Sequence, residues 1–134
     1  MPKILGLDLG EKKVGVAISD VDQTIAFPRK IIRYKKVDDL FTELKKIIDE
    51  EGIDTLVIGL PISLRGEATE QTTKVKELAD KIKISLKVNI EYVDERFTST
   101  AAKDLLKDEK KKYRQQDIDD ISAQKILQTY LDKL

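Results

Sequence analysis

The chain has 134 residues, with 25 Lys+Arg against 25 Asp+Glu, so its formal net charge is zero. It contains no His, no Cys and no Trp, which excludes a Ser-His-Asp triad, a thiolate nucleophile, disulfides and His- or Cys-ligated zinc. Carboxylate, Lys, Arg, Tyr and hydroxyl chemistry remains, and carboxylates alone suit hard cations such as Mg²⁺ or Mn²⁺.

The length suits a single domain over residues 1–134. Hydrophobic residues make up 40% and aromatics only 5%, so the expected core is aliphatic. No apolar run approaches the ~20 residues of a membrane span, and the N-terminal MPKILGLDLG lacks the h-region of a signal peptide. The expectation is a soluble, cytoplasmic protein without a membrane partner. The zero net charge is a sum of opposed regions. Residues 1–36 carry 8 positive and 4 negative charges, and residues 37–72 carry 3 and 9.

In chain order, Ile4, Leu5, Leu7 and Leu9 form a short apolar run. The turn Gly10-Glu11-Lys12-Lys13 follows, and Val14, Val16 and Ile18 then alternate with small residues. Two such runs around a Gly-containing turn read as a hairpin. A third strand fits residues 24–33, with Pro28 favouring a bend or an edge position. Residues 38–51 switch to helical spacing through Leu40, Phe41, Leu44, Ile47 and Ile48, with Asp38 as expected N-cap and Gly52 as the stop. Residues 55–60 are continuously apolar and end at Pro61, the pattern of a strand buried on both faces. A loop with Ser63, Arg65 and Gly66 leads to a helix over residues 69–83. Val88, Ile90, Tyr92 and Val93 form another strand, which runs into Asp94-Glu95-Arg96. Residues 98–107 read as a helix, residues 108–116 as a polar loop, and residues 117–133 as the last helix. The fold class is therefore α/β: an antiparallel β-β-β meander followed by alternating helices and strands, giving a mixed sheet with helices on both faces.

Three acidic positions stand out. Asp8 interrupts an apolar strand, where a charge is costly unless paired, hydrated or metal-bound. Asp94 and Glu95 close a strand at its carboxyl end, where open α/β sheets bind ligands; as acids before a helix they also suit its dipole. Asp117, Asp119 and Asp120 cluster at the start of the last helix, where capping is the ordinary role, and periodicity does not choose between Asp119 and Asp120. Acids from separate elements that share a site repel one another unless cations intervene. Two divalent ions held there can activate a water and stabilise the leaving oxygen of a phosphodiester.

The set Gly6-Leu7-Asp8-Leu9-Gly10 through Asp20, then Val57-Ile58-Gly59-Leu60-Pro61, Asp94-Glu95-Arg96-Phe97-Thr98-Ser99 and Ile118-Asp119-Asp120-Ile121-Ser122-Ala123 with Ile126 to Leu131 closely resembles the YqgF (RuvX) family. The resemblance spans nearly the whole chain and implies an RNase H-like fold similar to RuvC-type Holliday junction resolvases. It also implies a divalent-metal-dependent nuclease for the 5′ end of pre-16S rRNA, with Holliday junction resolution on four-way DNA as the older reading. It assigns Asp8, Glu95 and Asp119 as catalytic metal ligands for Mg²⁺ or Mn²⁺, two ions in all. The family's Ile-Asp before the last helix matches Ile118-Asp119, which favours Asp119 over Asp120. The stretch between Leu106 and Ile118 is short and lacks Gly, where many relatives carry a longer Gly-containing loop. Lys12, Lys13, Arg96, Lys110, Lys111, Lys112 and Arg114 are candidate phosphate contacts to precursor rRNA or branched DNA, although solvation is the ordinary role of a Lys run and Arg96 can instead pair with a nearby carboxylate. Tyr34, Phe97 and Tyr113 are the aromatic candidates for base stacking. Two other readings stand beside these. One is an actin-like ATPase, suggested by Leu7-Asp8-Leu9-Gly10. The other is a non-catalytic nucleic-acid-binding module.

Overall fold

In the computed structural model the described residues are 2–96 and 115–134, with side chains described for 2–96 and 121–134. Strand β1 spans Leu5–Leu9, β2 Lys13–Ser19 and β3 Ala26–Arg33. Helix α1 spans Val37–Glu51, β4 Thr55–Leu60, α2 Glu70–Leu86, β5 Asn89–Asp94 and α3 Gln115–Leu131. The helix expected over residues 98–107 and the loop over 108–116 fall wholly or mainly outside the described residues.

The five strands form one sheet in the order β3-β2-β1-β4-β5. β1 pairs antiparallel with β2 and β2 with β3, whereas β1–β4 and β4–β5 are parallel. The meander and the mixed sheet are thus as expected. β3 is an edge strand, and its register with β2 shifts between Val16 and Ala17, beside Pro28. A proline has no N–H to give a ladder, so an edge with an irregular register accommodates it. β4 lies between β1 and β5 and is buried from Leu56 to Leu60, in keeping with its unbroken apolar run.

Local chemistry sets the element ends, with small departures from expectation. β3 begins at Ala26 rather than residue 24 because Asp20 folds the preceding segment. Its carboxylate accepts from the Thr24 backbone N–H at 2.8 Å, the Ile25 N–H at 3.2 Å and the Thr24 hydroxyl at 2.9 Å, and these bonds hold its pKa low. Asp38 does not cap α1. Lys36 occupies the N-cap without a side-chain bond, and Asp38 and Asp39 lie in the first turn, where their charge favours the positive end of the helix dipole. Gly52 closes α1 at φ 66°, a left-handed conformation suited to glycine. Thr69 caps α2 in a reciprocal capping box with Thr72, whose hydroxyl also donates to the Pro61 carbonyl.

Two apolar clusters lie on opposite faces of the sheet. α1 and α2 cover the larger one, in which Leu5, Leu7, Val14, Val16, Leu40, Leu44, Leu56, Ile58 and Ile82 are buried. α3 covers the smaller one, with Val57, Val93, Ala123, Ile126 and Leu127. α3 can approach the sheet closely because β1 presents Gly6. A Cβ there would lie 2.6 Å from Leu127 Cβ and 3.1 Å from the Ala123 carbonyl oxygen.

The direction of α3 is what brings it to the site. Its C-terminal half meets the start of β1: Gln124 and Gln128 bond to Ala26 and Thr24, and Leu131 joins Ile4 in the smaller cluster. The helix therefore runs antiparallel to β1. Its N-terminal turns reach the end of β1 that carries Asp8.

Candidate active site

Asp8 is the only acid in β1, between Leu7 and Leu9, which are 0% and 6% exposed. Side chains alternate along a strand, so Asp8 shares a face with Gly6, beneath α3. Its antiparallel partner is Gly15, and extending the β1–β4 register from Leu7↔Ile58 puts Gly59 beside it on the other flank. The acid therefore sits between two glycines, in a space that neighbouring side chains leave open.

Glu95 follows β5 directly. Its backbone N–H donates to the Leu60 carbonyl at 3.1 Å, which extends the β4–β5 ladder and fixes the residue at the carboxyl ends of the parallel strands. Its carboxylate lies over Gly59, where a Cβ would come within 2.7 Å of Oε1. Burial, then the charge of Asp8, then that of Asp94 push its pKa up to about 7. Burial destabilises the charged form, and a neighbouring carboxylate does so again. Asp8 and Glu95 thus come together from two strands separated by one glycine-bearing strand.

Asp94 has the opposite environment. Arg96 donates to it through Nε at 2.9 Å, Nη2 at 2.7 Å and its backbone N–H at 2.9 Å, and these bonds hold the Asp94 carboxyl below its usual range. The Arg96 guanidinium also packs on the loop after β4, 3.1 Å from where a Gly66 Cβ would stand. Two adjacent acids are thereby separated in character: Asp94 is neutralised in an ion pair, while Glu95 turns toward Asp8.

Asp119 lies in the N-terminal part of α3, at the end of the helix that reaches the Asp8 side. Its side chain and that of Asp120 lie outside the described residues. So do Lys110, Lys111, Lys112 and Arg114, and the aromatic candidates Phe97 and Tyr113. Among the described residues no group of three His, Cys, Asp or Glu could hold a metal ion. Lys12 and Lys13 occupy the turn and the start of β2 at the same sheet end, with Lys12 exposed. Tyr34 is a brace: its ring packs on the larger cluster and its hydroxyl donates to the Gly10 carbonyl at 2.5 Å.

Residue pattern alone did not single out Gly59, whereas the Asp94–Arg96 pair is the nearby-carboxylate alternative for Arg96. The signal for the first was a glycine inside an otherwise branched apolar strand. For the second it was an acid and an arginine two residues apart at a strand end.

This meander-plus-parallel sheet, with an acidic pair at its carboxyl end under a crossing helix, defines an RNase H-like α/β fold of the resolvase type. The solved structures agree. Thermus thermophilus RuvC bound to a Holliday junction superposes with TM-score 0.65 at 8% identity, covering 99% of this chain and 95% of that one. The fowlpox virus resolvase in its Holliday junction complex gives 0.59 at 10% identity, covering 98% and 97%. The model of the RuvX family, described as Holliday junction resolvase, matches residues 2–133, and the chain belongs to that family. A Maridesulfovibrio salexigens protein described as a proposed pre-16S rRNA nuclease is 42% identical over 131 residues, covering 96% of this chain and 97% of the relative. A Sulfurihydrogenibium relative with the same description is 43% identical over 136 residues, covering 100% and 92%. The chain is a nuclease, and thus a hydrolase. Among the described residues, no helix is long and apolar enough to cross a membrane.

Proposed function

We propose that the chain, acting as one cytoplasmic domain, hydrolyses phosphodiester bonds in the maturation of the 5′ end of pre-16S rRNA, with Asp8, Glu95 and Asp119 as its catalytic carboxylates. The observation that carries this is the Asp8–Glu95 pair. Two carboxylates turned toward each other, one with its pKa pushed up to about 7, are poorly stable together without a cation. Their all-oxygen donor set fits a hard divalent ion. Mg²⁺ or Mn²⁺, two ions in all, would be held by Asp8 and Glu95 with Asp119 as third ligand. When bound, such ions lower the pKa of a coordinated water and neutralise charge on the leaving oxygen.

The chain's own residues do the rest. Gly59 keeps the floor of the site free of side chain, so that Glu95 can lie across β4 toward Asp8. The ladder bond from Glu95 to Leu60 sets the carboxylate's height. Arg96 pairs with Asp94, which leaves Asp94 the smallest of the three contributions to the raised Glu95 pKa, after burial and Asp8. Supporting Asp119 as the third member is its position four residues, about 6 Å of helix rise, before Ala123, which packs on Gly6. Lys12 and Lys13 supply positive charge for the substrate backbone.

The test compares wild type with Asp8→Asn on precursor 16S rRNA and on a four-way DNA junction, with Mn²⁺ or with a chelator. We expect metal-dependent cleavage of the RNA and a loss of at least about 100-fold in the variant, the scale of removing one charge-stabilising group from an active site. Equal activity in both proteins refutes the site. Preferential cleavage of the junction favours resolution of four-way DNA, the second reading, which the family description supports.

A further inference from the structure

We propose that Leu64, at the tip of the turn between β4 and α2, is a wedge that enters the base stack of the nucleic-acid substrate beside the Asp8–Glu95 pair. The inference rests on the nuclease reading and deepens it by naming the residue that opens a stacked strand.

The first observation is how the side chain is held. Leu64 is 95% exposed, the most of any large apolar residue among the described residues. A single exposed apolar side chain is ordinary on a protein surface, so exposure counts here only together with the turn that carries it. Leu64 and Arg65 are the two central residues of that turn, which is bonded on both sides of them. The Gly66 N–H donates to the Ser63 carbonyl at 2.8 Å and the Ser63 N–H to the Glu67 carbonyl at 3.0 Å. The Glu67 N–H donates to the Ser63 hydroxyl at 3.0 Å, and Ile62 bridges to Ala68. Gly66 takes φ 83°, a left-handed conformation that costs glycine little. At the root, Ile62 packs on the larger cluster and the Thr72 hydroxyl donates to the Pro61 carbonyl. The chain thus builds a stiff small hairpin and carries a leucine outward at its tip.

The second observation is place. β4 ends at Leu60, between β1 and β5, and the hairpin continues past that end. Asp8 lies near the same end of β1, and Glu95 is bonded to Leu60 itself. The turn is also seated on the acid-bearing segment: a Gly66 Cβ would stand 3.1 Å from the guanidinium of Arg96, the residue after Glu95. Leu64 is two residues from Gly66, a chain span of at most about 7 Å. A strand laid across the carboxyl edge of the sheet therefore meets both the acids and the tip.

The third observation is chemistry. Arg65, next to the leucine, is exposed and has no ion-pair partner among the described residues. An apolar tip beside a cation matches a nucleic acid, whose apolar base faces alternate with charged phosphates. Leucine and similar side chains inserted between base steps unstack them, at a cost that the added contacts repay. A protein partner calls for a wider apolar patch, and the flanking Ser63, Gly66 and Glu67 supply none.

The test uses the full chain with EDTA present, so that turnover does not intervene. The probes are an RNA duplex and a four-way DNA junction, with 2-aminopurine placed at successive positions in separate preparations; its emission rises when it leaves the stack. Wild type should raise the emission at a short run of adjacent positions in at least one probe. Leu64→Ser should abolish the rise, and Leu64→Met, apolar and close in volume, should keep it. Ile84→Ser, which removes a 77% exposed apolar side chain near the far end of α2, should keep it too. Leu64→Ser should leave the Tm unchanged, because so exposed a side chain adds little to the core. A rise on RNA alone, on DNA alone or on both supports the wedge and shows which substrate it opens. A wild-type rise in Leu64→Ser, no rise with the wild type, or a lower Tm in Leu64→Ser overturns it. Asp8→Asn should keep the rise while losing cleavage. Wild-type cleavage by Asp8→Asn refutes the carboxylate site and not the wedge, which the emission reads separately.

Discussion

The two faces of the sheet are built on different terms. Under α1 and α2, β1, β2 and β4 present Leu5, Leu7, Leu9, Val14, Val16, Leu56, Ile58 and Leu60 to Leu40, Leu44, Ile47 and Ile82. Under α3 the same strands present Gly6, Asp8, Gly15, Val57 and Gly59, and the apolar contacts are fewer. The first face supplies burial. The second gives up burial to let a helix come close and to leave room for two acids. One strand, β1, serves both, because alternation sends Leu7 one way and Asp8 the other. An aliphatic anchor thus holds a carboxylate in place from behind.

If that division is real, damage to the first face should lower stability without touching the chemistry. Leu44 is fully buried in the middle of α1. Leu44→Ala should cost about 2–5 kcal/mol, the usual range for emptying a leucine site in a core, read as a lower denaturation midpoint with an unchanged m-value. Cleavage per folded molecule should stay at the wild-type level. A matching fall in specific activity would show that the two faces are coupled and that the anchor does more than hold β1.

A smaller change on the second face should do the reverse. In Gly59→Ala the new Cβ would stand 2.5 Å from Ile126 Cδ1 and 2.7 Å from Glu95 Oε1. Both are side-chain atoms and can yield, so the expected loss of stability is about 1–3 kcal/mol, the range for overpacking. The carboxylate that yields is one of the proposed catalytic acids, however. Cleavage should fall much further than the stability change accounts for, and a double mutant with Glu95→Gln should show little added loss. Wild-type cleavage in Gly59→Ala would mean that the position of Glu95 over β4 is not needed.

This division was only half legible in the sequence. Asp8 stood out because a charge inside Ile4–Leu9 violates the hydrophobic pattern, and Glu95 because it ends a strand. The strands and helices followed from period and turn residues, which are local signals. Gly59 looked like one more residue of an apolar run, since its role depends on Ile126 and Glu95, which only the fold brings near. Asp38 looked like a cap, yet it lies two positions after the N-cap Lys36, in the first turn, where a dipole contact serves instead. Whatever depends on register or on the approach of distant segments lay beyond the reach of spacing. The Asp119 expectation, resting on family motif, stays a proposal for the same reason.

The finest test of the comparison is pH. In the folded chain the Glu95 pKa is raised to about 7, first by burial and then by the charges of Asp8 and Asp94, whereas in the unfolded chain it takes the ordinary value of 4.5. A carboxyl with a raised folded pKa favours folding when protonated. Its penalty is absent below the unfolded value, grows as pH rises between the two, and is complete above the folded value. Without divalent metal, therefore, Glu95 should cost the protein little at pH 4 and about 1–2 kcal/mol at pH 8, after allowing for partial exposure. Glu95→Gln removes the ionisation. The variant should match the wild type at pH 4 and exceed it at pH 8, by denaturant titration in EDTA, while losing cleavage. Adding Mn²⁺ should narrow the gap at pH 8 by stabilising the wild type, because ligand binding to the folded state alone raises its stability. Equal stability of the two proteins across the pH range would mean that Glu95 does not confront Asp8, and the acidic pair would lose its claim to hold a cation.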